Sequence, residues 1–409
     1  MRPTLTFLPL LIVLLAQPAR AEGWKAADAS PAVADTHEMA ASPRNTVTAG
    51  DLFGDDDPAN AELSVLVQTR YGQTVAATDR SSERALAADS DGWVLNRAFL
   101  RTVAKPNHVV TAKLLLDFAS LTQDDPVQTI KLAYAALQLH PRLELRAGLF
   151  KRPFSLLELL PIGEYEFGDN GPTDGLIKDV GFAGRDVGLQ LAVAPLPRRK
   201  QMRLSLAAFQ GGRSEATAAP DGLLAGRVEY SPGKRIHLGA DVTWRRRETT
   251  KGYDYADGPQ SDGWAWSADA ILEIPNCDVR AEVMAGDRTD LRNRTNPEDG
   301  APARQFMGAW ILGLYRFPVH KSVVMPGVRI EWLDADVQRP AGDRLTLSGA
   351  VSFDFDPRLR LLVDLTRQWV APETLPLGKK PSGDADSGTW RTVHDVDFTR
   401  LVLQLQVRL

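Results

Sequence analysis

From Glu62 to the C-terminus, apolar and polar side chains alternate with a period of two. In Val109–Ala119, Val110, Ala112, Leu114, Leu116 and Phe118 share one face, and Thr111, Lys113 and Asp117 share the other, with Leu115 the exception. Arg235–Arg246 sets Ile236, Leu238, Ala240, Val242 and Trp244 against His237, Asp241, Thr243 and Arg245. The chain ends with Leu401, Leu403, Leu405, Val407 and Leu409 opposed to Arg400, Gln404, Gln406 and Arg408. Apolar residues that recur at i+2, and not at i+3 or i+4, specify strands with one apolar and one wetted face. About sixteen such segments follow one another: 62–71, 93–103, 108–118, 127–139, 142–150, 186–194, 201–210, 223–231, 235–246, 263–274, 277–287, 305–316, 322–334, 344–355, 357–369 and 398–409. Soluble strands average ~5–6 residues, whereas these run to about 9–14, the length a tilted strand needs to cross a bilayer.

The connections alternate as well. Short, proline-bearing ones (Lys105-Pro106-Asn107, His140-Pro141, Pro195-Leu196-Pro197, Ser231-Pro232-Gly233, Ile274-Pro275-Asn276, Phe317-Pro318, Asp356-Pro357) are interleaved with longer ones. Short turns at one end and long loops at the other are the asymmetry of an outer-membrane barrel, and no internal repeat suggests propeller blades. The expected fold is all-β, a transmembrane antiparallel β-barrel of about 16 strands over residues 62–409. Trp264, Trp266, Trp310, Trp332 and Trp369 lie on these segments, some near their ends, as interfacial girdles do.

The N-terminus fits an exported chain. Arg2, an apolar stretch Leu5–Ala16 and Ala19-Arg20-Ala21 form a signal peptide over residues 1–21, cut after Ala21. Residues 22–61, rich in Ala, Asp, Pro, Ser and Thr, carry too little apolar surface to offset ordering entropy and read as a flexible arm. Composition narrows function further. With 48 Lys+Arg against 52 Asp+Glu, the net charge of −4 lacks the basic excess of a nucleic-acid partner. The single cysteine, Cys277, excludes an intrachain disulfide and a multi-cysteine metal site. Six scattered histidines show no metal-ligand spacing, and no nucleophile-elbow, P-loop or dinucleotide motif occurs. No catalytic residue, metal or cofactor is expected.

The wetted face carries the candidate chemistry. Arg97, Arg101, Lys113, Arg146, Arg227 and Arg245 lie on it, mixed with Asp117, Glu144, Asp241, Asp269, Glu282 and Glu331. In a sixteen-strand barrel that face lines an aqueous lumen, where charge selects ions. Lys151–Arg185 is the third external loop, and its Pro153, Phe154, Leu156, Leu157, Leu159 and Leu160 are more apolar than a solvated loop requires. It is expected to fold inward and narrow the pore, with Arg152, Glu158, Glu164, Glu166 and Lys178 as constriction residues. Its four basic and six acidic residues sum to −2, so the loop does not by itself favour anions.

Several stretches resemble the phosphate-selective porin O and P family. Gly148-Leu149-Phe150-Lys151-Arg152-Pro153-Phe154-Ser155-Leu156 is similar to the family's Gly-x-Phe-Lys-x-Pro-Phe-Ser entry into its constriction loop. Asn96-Arg97-Ala98-Phe99-Leu100-Arg101, Leu115–Ala119, Gly184–Gly188 and Gly226–Pro232 resemble family strands. The resemblance implies a sixteen-stranded, trimeric porin of the bacterial outer membrane. It also implies contact with outer-membrane lipid and lipopolysaccharide, and binding of small anions such as phosphate by lumenal basic residues. Arg97, Arg101, Lys113, Arg146 and Lys151 are the foremost candidates. The expected activity is passive diffusion of small hydrophilic solutes with an anion or phosphate preference. The alternatives are a general or cation-preferring porin, a barrel enzyme, and a plugged structural barrel.

Overall fold

The computed structural model describes residues 46–48, 60–77, 91–107, 109–123, 129–160, 167–168, 170–194, 201–210, 222–246, 262–288, 304–335, 337, 343–370 and 397–409. Strands form wherever the alternation runs. They are β1 (Asn60–Ala77), β2 (Gly92–Lys105), β3 (Val110–Asp117), β4 (Ile130–His140), β5 (Leu143–Lys151), β6 (Arg185–Val193), β7 (Gln201–Phe209) and β8 (Leu223–Ser231). The second half comprises β9 (Ile236–Arg245), β10 (Gly263–Ile274), β11 (Cys277–Arg288), β12 (Arg304–Tyr315), β13 (Ser322–Asp334), β14 (Asp343–Asp356), β15 (Leu359–Val370) and β16 (Phe398–Arg408). Each pairs antiparallel with the next, and β16 returns to β1 with Gln404 opposite Arg70 and Val407 opposite Val67. The sheet is therefore a closed sixteen-stranded barrel without free edges, which satisfies every spanning strand's backbone on both sides.

Burial along the strands is the reverse of a soluble protein's. Leu206 is 67% exposed and Val242 55%, whereas Asp241 is 5% exposed, Arg227 6% and Glu331 0%. Large apolar side chains point outward, toward lipid, and charged ones point inward, where they pair with one another.

Three features depart from the period-two reading. Residues 46–48, inside the segment expected to be a flexible arm, form a strand antiparallel to Asn60–Glu62. Thr46, Val47 and Thr48 are all β-branched, the residue class that favours strands, and β1 itself runs longer than expected. The remainder of residues 22–61 up to Ala59, and the signal segment 1–21, lie outside the described residues. The expected turn at Phe317-Pro318 is instead a strand piece, Phe317–Val319, paired with the start of β13. The chain reverses at His320-Lys321, with His320 at φ 55. Finally, the long loop after β5 contains two short helices, α1 (Leu156–Leu159) and α2 (Pro172–Asp179).

Candidate functional site

The loop that leaves β5 at Lys151 rests on inward-facing carboxylates of the barrel wall. Ser155, at φ 69, donates its backbone N–H to Asp241 on β9 (3.3 Å) and its hydroxyl to Glu282 on β11 (3.0 Å). Glu282 also accepts the Leu156 N–H and the Trp310 indole N–H, each at 3.0 Å. At the start of α2, where Pro172 occupies the first turn, the Thr173 N–H donates to Glu331 on β13 (2.6 Å). Gly171, at φ +89, lies so close that a Cβ there would overlap the Glu331 carboxylate. Each acidic side chain satisfies backbone donors that the loop would otherwise leave unpaired.

Apolar packing completes the seat. Phe154, Leu176, Ile177, Val180 and Phe182 form one cluster with Ala265, Met284, Phe306 and Leu333 of the wall. Leu156, Leu157 and Phe167 form another with Trp310, Leu312, Leu314, Ala350 and Leu362. Burying side chains of this size stabilises by about 1.5–3 kcal/mol each. Farther on, the Gly168 carbonyl accepts from Arg70 on β1 (3.2 Å), and Gly168 sits against Val402 on β16. The described contacts thus run along the inward faces from β9 round to β1.

Between the loop and the opposite wall lies a cavity of about 250 Å³. Arg97 on β2, Lys131 on β4, Lys151 and Arg185 at the strand ends, and Lys178 from α2 line it. Among the described residues, Asp117 and Glu158 are the carboxylates of its lining, so five cations against two anions leave that lining a net +3. Lys178 Nζ lies 2.9 Å from Glu158 and 2.7 Å from Asp174, and Arg185 approaches Glu158 to 4.0 Å. Burial alone would raise the Glu158 pKa, but Lys178, Arg185 and Lys151 outweigh it and hold the carboxyl down to about 2. Burial likewise opposes the Lys178 charge, and Glu158 with Asp174 more than restores it, raising the ammonium pKa above its ordinary value. Lys151 Nζ donates to the Leu160 carbonyl (3.1 Å).

Lys151 also walls a second, smaller cavity of about 50 Å³ together with Arg146, Arg203, Arg227 and Glu229. The Arg146 guanidinium lies 4.6 Å from the Tyr134 ring centre and 5.6 Å from that of Phe150, and it meets Glu144 at 3.1 Å.

The candidate residues therefore separate by place. Arg97, Lys151, Glu158 and Lys178 meet in the larger cavity, and Arg146 and Arg227 border the smaller one. Arg227 is engaged by Asp241 (2.5 Å), Asp269 (2.7 Å) and Glu229 (3.0 Å). It reaches Asp269 across Gly239, where a Cβ would overlap both partners. Arg152 is buried under the loop, paired to Asp186 (2.7 Å) and to the carbonyls of Gly181 and Ala183. Arg245 donates to the Val180 carbonyl (2.8 Å). Arg101 and Lys113 stand on inward positions nearer the short-turn end, with Lys113 5.9 Å from the Tyr134 ring. Glu164 and Glu166 lie outside the described residues.

Two cavity cations were not among the candidates. In the sequence Arg185 stands only as one of the four basic residues of the loop. Lys131 has the wrong parity for the wetted face, because Leu132 and Tyr134 also point inward. A register shift between Leu115 and Leu116 leaves Lys131 as the extra residue of a bulge, turned toward Asp117 at 3.7 Å.

One serine–histidine–carboxylate grouping occurs among the described residues. Ser231 Oγ is 2.8 Å from His237 Nδ1, and His237 Nε2 is 4.0 Å from Glu273. All three have inward parity at the short-turn end, and Ser231 is 6% exposed, which is not the lipid-facing rim a lipid-cleaving barrel would use.

Comparison with known proteins agrees with this architecture. The family model described as phosphate-selective porin O and P matches residues 35–269. No curated protein sequence matches the chain. Among solved structures, it is similar to OmpT of Vibrio cholerae in trimer form, at 9% identity and TM-score 0.56, covering 86% of this chain and 100% of that one. It is also similar to an anion-selective porin from Comamonas acidovorans, at 13% identity and TM-score 0.52, over 86% and 99% of the two chains. Salmonella typhi OmpF, solved with daunomycin, gives 8% identity and TM-score 0.55 over 86% and 98%. At these identities the likeness is one of fold.

Proposed function

This chain belongs to the phosphate-selective porin O and P family, and from that premise we propose that it is a passive channel whose eyelet favours small anions, phosphate among them. It is a porin of the bacterial outer membrane. The observation that carries the anion preference is the net +3 cavity, because it sits where the loop leaves room beside the wall. The acidic residues of the opposite wall, Asp241, Glu282 and Glu331, are turned to loop donors and so present less charge to a passing solute.

An anion entering this space exchanges part of its hydration shell for charge-assisted hydrogen bonds. Arg97 and Arg185 offer a planar fork that suits phosphate, whereas Lys131, Lys151 and Lys178 act as point charges. Glu158 tempers the attraction, so that binding stays weak enough for release. Arg101 and Lys113 extend the basic wall toward the short-turn end. No covalent step is involved. In this reading, residues 1–21 are removed on export, and residues 22–61 precede the barrel domain. The outward faces meet lipid and lipopolysaccharide, and three copies associate, as the trimer form of the Vibrio protein supports.

The test is the zero-current potential of the refolded protein in a planar bilayer under a KCl gradient, followed by phosphate titration. Anion selectivity with chloride current blocked by phosphate is the expected result. Cation selectivity, or no block, would leave a general porin and remove the phosphate reading.

A further inference from the structure

By charge alone, a carboxylate in the cavity lining should only repel anions. Resting on the anion-channel reading above, we propose that Asp117 does something else: it is a positioning residue that fixes the bulge carrying Arg97, while Lys131 answers its charge. Asp117 is the last residue of β3, and its pairing with Phe99 is the last of the β2–β3 ladder on the loop side. Beyond it the chain leaves the ladder in a short 3₁₀ helix, Phe118–Gln123. The Ala98 N–H lies one residue past that final pair, and Asp117 Oδ1 accepts it at 3.2 Å. The same oxygen accepts the Ala119 N–H at 3.1 Å, which opens the helical turn.

Arg97 needs such an anchor. On β2, Arg97 pairs with Gln68 but Leu95 with Thr69, so Asn96 is the extra residue of a bulge. A bulge interrupts the ladder locally, and its side chains take their direction from whatever fixes the residues beside them. Ala98, next after Arg97, is fixed by Asp117. On the other side of β3, Lys131 is the extra residue of the β4 bulge, and Asp117 Oδ2 faces its Nζ at 3.7 Å. Two bulges thus flank one carboxylate, itself 6% exposed, and each supplies a cation to the larger cavity. With one oxygen on two backbone donors and the other toward an ammonium, Asp117 spends its charge on the wall and not on the solute.

The test compares Asp117→Asn with Asp117→Ala in the full-length protein in a planar bilayer. It reads the zero-current potential under a KCl gradient and the phosphate concentration that half-blocks chloride current. Both variants lose the same charge, but asparagine keeps an oxygen for the Ala98 and Ala119 N–H groups. The asparagine variant should be at least as anion-selective as wild type and half-blocked at the same phosphate concentration or lower. The alanine variant should need about tenfold more phosphate than the asparagine variant, the loss that follows when one charge-assisted hydrogen bond is misplaced. Equal half-block in the two variants would overturn this inference and leave the anion reading standing. A wild-type channel without anion selectivity or phosphate block would overturn the two together. Asp117→Glu decides the matter if the alanine variant does not fold, because it keeps the charge and carries the oxygens one methylene away from the N–H groups. Its half-blocking concentration should rise about threefold over wild type, and a wild-type value would overturn the inference.

Discussion

Glu158→Gln removes one of the two carboxylates among the described residues of a cavity they line with five cations, raising the net charge of that lining from +3 to +4 at nearly constant volume. Lys178 keeps its 2.7 Å partner Asp174, so the local structure retains an ion pair. For a permeating ion about 8 Å from the lost charge, in a medium close to water, the Coulomb term is about 0.5 kcal/mol before screening. Anions gain and cations lose by that amount. The anion-to-cation permeability ratio should therefore rise about fourfold in 10 mM salt, where the Debye length is about 30 Å. It should rise only about twofold at 0.1 M and hardly at all at 1 M, where the Debye length is about 3 Å. The assay is the zero-current potential across a KCl gradient, wild type against variant, at each ionic strength.

The same comparison has a pH signature. The folded-state pKa of Glu158 is depressed to about 2, so the carboxylate stays charged well below its ordinary titration range. Its interactions are complete above that ordinary value and are lost only as pH falls through about 2. The difference between wild type and variant should accordingly persist from pH 7 to pH 4 and close as pH approaches 2. Equal potentials at 10 mM, or a variant shifted toward cations, would refute the placement of Glu158 beside the ion path.

Other predictions follow from the seat and the wall. Glu282→Ala deprives the Ser155 hydroxyl, the Leu156 N–H and the Trp310 indole of their shared acceptor, at about 1–3 kcal/mol per group. Open-channel noise and protease cleavage between residues 152 and 184 should both increase, and unchanged values would show that the seat does not depend on this carboxylate. Gly239→Val places side-chain atoms in the path of the Arg227–Asp269 pair. Breaking that buried pair should cost about 3–5 kcal/mol, read as a lower temperature at which the folded electrophoretic band disappears. Ser231 should not react with a fluorophosphonate probe, and labelling there would point to an enzymatic barrel instead.

The strands were legible because their physics is local: one face meets lipid and the other water, and period two records that residue by residue. Parity likewise places Arg97, Arg227, Asp241 and Glu282 on the inward face. It cannot say which charges remain available to a solute. Arg227 is engaged by Asp241 and Asp269, and Arg152 by Asp186 and two loop carbonyls, through pairings that depend on long-range register. Lys131 escapes the pattern because a bulge inverts its parity. Glu282 and Glu331 have the sequence signature of lumenal charges, yet they cap loop donors. The short helices of the loop are held by tertiary packing, and a four-residue helix such as α1 has too few residues to show a 3.6 period.

Anions, and not cations, should occupy the cavity walled by Lys151, Lys178 and Arg185. Crystals soaked in rubidium bromide would decide this, since anomalous scattering distinguishes the two ions and locates each. Bromide is expected within ion-pair distance of Lys151 Nζ or the Arg185 guanidinium, with rubidium absent from that cavity. Rubidium there, beside Asp117 or Glu158, would contradict it.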